Sequence, residues 1–282
     1  GEIAMKNILK IMLMMITIYT ITGSAVYAAE IPVSDQDQLI TSRDWTEISN
    51  LQDEMKKEEP DATIDYDKAL KVYVDCNLIK LQTADTKKLT SALESANYVW
   101  VIPFKMEKTY GMFTVAKGLP LSEEAKSVLT KAEQEEVKNH AGKWMITETA
   151  EHTVEPYYDI LLEKREALSD CTRVVLVGSQ PGMRQPVALG MDDETARIWI
   201  SLGYQYPVME KIPETQNVES GVYSFDSVAE ISDTYIEDSE VSTGAGVQSR
   251  SSMKYVAGIG IIVIGSILIL SVLKKKKLED YE

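Results

Sequence analysis

The chain has 282 residues, with 29 Lys and Arg against 44 Asp and Glu, for a net charge of −15. Residues 29–253 hold 22 of those bases and 40 of those acids, and a surface at −18 repels nucleic acid and anionic lipid, both of which need positive neutralising charge. Two histidines twelve residues apart, His140 and His152, with no HExxH and no CxxC, leave zinc without a recognisable ligand set.

At the start of the chain, Met5-Lys-Asn-Ile-Leu-Lys10 is basic, Ile11 to Ile21 is an uncharged apolar run, and small residues follow up to Ala28. That order reads as a secretory signal peptide over residues 1–28, cut after Ala28. Residues 29–60 form an N-terminal helical segment. Trp45, Ile48, Leu51 and Met55 recur at helical spacing, Asp44 with Glu47 reads as a capping box, and Pro60 ends the helix.

Residues 61–212 carry the pattern of one α+β domain. Leu70, Val72, Val74 and Cys76 alternate with polar neighbours, as a half-buried strand does. Leu89, Ala92, Leu93 and Ala96 share one face of a helix capped by Asp85. Tyr98 to Phe104 and Met112 to Ala116 then form a hairpin, whose Pro103 places its strand at an edge or a bulge. One long helix is expected from Ser122 to Gly142, burying Ala125, Val128, Leu129 and Ala132. A strand at Trp144 to Thr147 and a helix started by Pro156 follow, the latter with Tyr157, Ile160, Leu161 and Leu168 on its apolar side. Arg173 to Val177, Pro186 to Leu189 and Ala196 to Ile200 complete an antiparallel meander, the first turn marked by Pro181-Gly182. The expected fold is a largely antiparallel sheet with helices packed on one face.

From 213 to 254 the composition turns to Ser, Thr, Gly, Glu and Asp, the signature of an acidic flexible stalk. Residues 255–273 are nineteen without a charge, roughly 28 Å of helix at about 1.5 Å per residue, and read as a transmembrane helix. Lys274, Lys275, Lys276 and Lys277 follow as a stop-transfer cluster, which places the short tail 274–282 in the cytoplasm and the domain outside. This layout resembles that of exported, singly anchored surface proteins of bacteria.

The cysteines, Cys76 and Cys171, both fall in the part expected outside, where a disulfide is permitted, and they would meet if their strands were antiparallel neighbours. No catalytic, cofactor-binding or metal-binding set emerges. Gly178-Ser-Gln-Pro-Gly182 lacks the G-x-S-x-G spacing, Asp192-Asp193-Glu194 lacks a calcium-loop pattern, and there is no glycine-rich phosphate loop. Trp100, Trp144 and Trp199 read as core.

The resulting expectation is a non-catalytic binding or accessory module held in the membrane, with membrane lipid around its span and a protein or wall component as partner. The element order also resembles that of PAS-like and Cache-like sensing domains, which implies a small-ligand sensor or carrier as the alternative. A third reading, an enzyme, would have to be built on carboxylates such as Asp192, Asp193 or Glu148.

Overall fold

A computed structural model describes residues 31–232, except 153–154, 179, 181–182, 184, 204–208, 210 and 213–216. The signal peptide, most of the stalk, the expected transmembrane helix and Lys274 to Lys277 lie outside the described residues. Among those described, no helix is long and apolar enough to cross a membrane.

Among the described residues ten strands form one sheet: β1 (Thr63–Ile64), β2 (Leu70–Tyr73), β3 (Tyr98–Lys105), β4 (Tyr110–Lys117), β5 (Trp144–His152), β6 (Arg173–Val177), β7 (Val187–Met191), β8 (Ala196–Ser201), β9 (Asn217–Glu219) and β10 (Val222–Ser224). Their order is β5-β4-β3-β2-β6-β7-β8-β10-β9, with β1 on β3. Every strand pairing is antiparallel except β2 with β6, where Val72 lies beside Leu176 and Tyr73 beside Val177. Two meanders are thus joined along one parallel seam.

Alternation sorts the apolar side chains onto two faces. Val175 and Val177 point into one cluster and Val174 and Leu176 into another on the opposite side, so β6 is buried on both faces. On the first face lie α1 (Trp45–Ile48), α2 (Gln52–Glu58), α3 (Thr86–Ser95) and the helical residues 225–232, contributing Ile48, Met55, Leu89, Leu93 and Val228. On the second lies α6 (Tyr157–Glu163), which brings Tyr157 and Leu161. Helices therefore cover both faces. The expectation of a single covered face is corrected because continuous apolar strands such as β6 and β7 demand cover on each side.

Other expectations shift for local reasons. The helical segment within 29–60 packs on the domain, where Ile48 and Met55 are fully buried against β3 and β4 residues. Part of the expected stalk joins the domain: β9 and β10 extend the sheet, and Val222, Phe225 and Val228 are buried. Pro103 sits on an inner strand rather than an edge. Its missing N–H falls where β2 has ended and β1 has just begun to pair with β3, and its carbonyl accepts from Asp65 N–H at 2.9 Å.

The long helix expected over 122–142 is broken into α4 (Glu123–Val128) and α5 (Lys131–His140) by an extended Leu129 and a new cap at Thr130. Thr130 and Glu133 form a full capping box. The apolar stripe does not bury: Val128 is 67 % exposed, and α5 has no buried residue. These helices make an arm fastened at its base, where Gly142 N–H donates to Gly118 O at 2.7 Å and Gly118 N–H to Lys143 O at 2.9 Å. Gly142 has φ +75°, and a Cβ on Gly118 would fall 2.1 Å from His140 O, so both positions require glycine.

The parallel seam also corrects the cysteine geometry. Cys76 follows the end of β2 and Cys171 precedes the start of β6, which are opposite ends of parallel neighbours. Both thiols are free and buried, in clusters on opposite faces, and burial pushes them up to about 12 and about 11.

Candidate functional site

The seam is splayed at its base. Val174 pairs with Val33 and Leu70 with Gln38, so residues 33–38 pass between β6 and β2 before the two strands meet at Val72 and Leu176. Ile31 and Val33 lie in the cluster on one face and Leu39 in a cluster on the other, so the chain crosses the sheet here.

Asp37 sits in that crossing, buried. One oxygen accepts from Tyr73 Oη at 2.8 Å and lies 3.6 Å from Lys71 Nζ; the other accepts from Arg173 at 2.9 Å and Ser34 Oγ at 2.6 Å. Lys71, only 8 % exposed, has its ammonium 4.6 Å from the Tyr98 ring centre, 5.2 Å from Trp100 and 5.8 Å from Tyr73. Burial holds Lys71 below the ordinary lysine value even though Asp37 pulls the other way, and burial raises Tyr73 and Tyr98.

Asp44, the expected helix cap, is diverted into the same layer. Its backbone is already helical and its side chain makes no capping bond, but accepts from Tyr98 Oη at 2.8 Å and Trp100 Nε1 at 3.1 Å. Lys71 and Arg173 thus face Asp37 across the seam, while Asp44 lies 3.8 Å from the exposed Arg43 and accepts from the two aromatic donors.

Tyr98 carries this layer to the surface. It opens β3 and, with Trp144 at the start of β5, lines a cleft of about 410 Å³ at the ends of β3, β4 and β5. Leu119 and Pro120, the arm base at Gly118, Ala141 and Gly142, and Ala96 with Asn97 complete its lining. The rings of Tyr98 and Trp144 are 5.9 Å apart. Lys117 Nζ lies 5.5 Å from the Trp144 ring centre and 3.9 Å from Glu47 Oε2. Trp144 is 7 % exposed and its indole N–H has no acceptor among the described residues. A second recess of about 280 Å³ lies between Ile79 to Ala84 and the helical residues 225–232, with Asp226 and Glu230 at its rim.

The carboxylates named from the sequence do not converge. Asp192 accepts from the N–H groups of Thr195 and Glu194 and from Arg197, and those backbone donors hold its carboxyl below the usual range. Asp193 accepts from Thr172. Glu148 is exposed on edge strand β5, with β4, β3, β2 and β6 between it and β7. Gln180, from the segment that lacks the G-x-S-x-G spacing, is buried, accepting from Leu78 N–H and donating to Cys76 O and Gly178 O. Among the described residues no three His, Cys, Asp or Glu side chains gather as a metal site would need.

Trp100, Trp144 and Trp199 are core as expected, and Trp144 also lines a cleft that its sequence context did not reveal. Asp37 and Lys71 were also missed, since a lone acid in a polar run and a lysine in an alternating strand both read as solvated. Comparison of the chain with family models, with curated proteins and with solved structures found no match.

Proposed function

We propose that this chain is a single-pass membrane protein that displays residues 31–232 outside the cytoplasm as a non-catalytic binding module, with 255–273 as its span and Lys274 to Lys277 on the cytoplasmic side. The observation that carries the binding reading is the cleft at Tyr98, Lys117, Leu119 and Trp144, an open, mostly apolar concavity with the Lys117 side chain in its lining. Ligand sites combine an apolar lining with a few polar groups in this way. Asp192 is held by its own turn and Asp37 by the buried seam, which supports recognition over catalysis at those carboxylates.

The test uses intact cells. Added protease should digest the domain, and a photo-crosslinker placed at Leu119 should give a discrete product that is absent when the same group is placed at exposed Leu162 in α6. Protection of the domain in intact cells refutes the topology, and equal products from both positions refute the cleft.

A further inference from the structure

We infer that the buried seam closes on itself covalently: Lys71 Nζ and the side-chain carboxyl of Asp37 condense to an amide that ties the strap of residues 33–38 to β2. The site lies apart from the cleft, and the inference does not depend on what the cleft binds.

Placement is the first argument. In the β2–β3 ladder Lys71 lies opposite Trp100 and Tyr73 opposite Tyr98, so alternation turns Lys71 and Tyr73 to the same face and sets the amine among three rings. The strap brings Asp37, 2 % exposed, to within 3.6 Å of that amine. Reacting groups held in place in this way reach effective molarities of roughly 10⁵–10⁸ M.

Charge is the second argument. Two cations face Asp37, and a guanidinium keeps its proton, so Arg173 retains the anion while Lys71 is the group that burial drives toward the neutral amine. A neutral amine is a nucleophile, and an ammonium is not.

The third argument is that the two carboxyl oxygens are held differently. Oδ2 accepts from Arg173 at 2.9 Å and from Ser34 Oγ at 2.6 Å, donors placed to stabilise the negative charge this oxygen takes up when the amine adds to Cγ. Oδ1 faces Lys71 and accepts from Tyr73 Oη at 2.8 Å, which assists its departure as an acid.

The step balances on these atoms. One proton of the Lys71 ammonium passes to Oδ1, and the electron pair freed on Nζ forms the bond to Cγ. The Cγ–Oδ1 bond then breaks, and Oδ1 leaves as water with a second proton from the nitrogen. Nothing is oxidised or reduced. Oδ2 stays as the amide oxygen, still an acceptor for Arg173, and two buried charges disappear.

The experiment takes the full chain, extracted in detergent, and measures its mass intact and after trypsin. The chain should be lighter by one water than the sequence from the amino terminus it carries. Trypsin should pass over Lys71 and release residues 69–80 joined to the peptide that ends at Arg43. Lys71→Arg keeps the cation and cannot condense, so it should return the full mass and separate peptides. A wild-type chain at full mass overturns the inference, and so does a missing water with the two peptides running apart. Linked peptides that persist in Lys71→Arg overturn the assignment of the amine. The crosslink at Leu119 reads the cleft independently, so failure of either result leaves the other standing.

Discussion

The seam between β2 and β6 and the arm of α4 and α5 are both rich in charge, and they use it to opposite ends. At the seam Asp37, Lys71 and Arg173 are withdrawn from water and committed to one another and to Tyr73. On the arm, Glu123 with Lys126 and Glu135 with Lys138 are exposed pairs three residues apart on their own helices. A buried charge left without its partner is costly, whereas an exposed pair contributes little. Placement, rather than the number of ion pairs, decides which charges hold this fold together.

Removing Asp37 gives the largest effect. Asp37→Ala leaves Lys71 and Arg173 as neighbouring cations with no anion between them, and should destabilise by about 3–5 kcal/mol in chemical denaturation. A loss under about 1 kcal/mol would place the seam charges in the same class as the arm's.

Next is a steric probe in the first meander. A Cβ on Gly111 would lie 2.1 Å from the Phe104 ring, which itself packs on Phe113 at 4.5 Å. Gly111→Ala should cost about 1–3 kcal/mol as the ring is displaced, whereas Lys126→Ala on the arm should leave the denaturation midpoint unchanged.

Thr130→Ala sharpens the contrast from the other side. Loss of the capping box should weaken α5 locally by about 1 kcal/mol, read as faster amide exchange over 131–140. Global stability should stay put because α5 buries nothing.

The last effect is alkaline. Cys76 and Cys171 have folded values near 12 and 11 against the ordinary 9.0, so above that pH the unfolded chain binds fewer protons than the folded one. Their contribution is complete below pH 9 and fades as pH climbs through the folded values. Stability should fall in that window, and a Cys76→Ala, Cys171→Ala double variant should show a shallower decline between 9 and 10, before Tyr73 and Tyr98 add their own share.

The sheet was legible wherever local pattern and final environment agree. Hairpin β3–β4 and meander β6–β8 were read from alternation and apolar runs, and Asp85 and Ser122 cap as their type suggests, accepting from Lys87 and Ala125 N–H groups. The long helix failed because Ala125, Val128, Leu129 and Ala132 make a stripe whether or not anything covers it. Asp44 failed because tertiary donors, Tyr98 and Trp100, outbid the nearby backbone. The seam was invisible for a further reason: it depends on residues far apart in sequence meeting across a parallel pair, which no window can register. The cleft was hidden likewise, since Tyr98, Lys117 and Trp144 come from three strands.

The thread of residues 33–38 through the sheet bears on the order of assembly. Asp37 and Arg173 are 136 positions apart, so a nascent chain that has not yet delivered β6 has neither the second wall of that slot nor its guanidinium. Such distant contacts are entropically expensive to close and slow to form. The first meander must therefore wait, with one flank of β2 open, until synthesis passes Val177, and locking of the amino-terminal strap becomes a late event in the maturation of this protein.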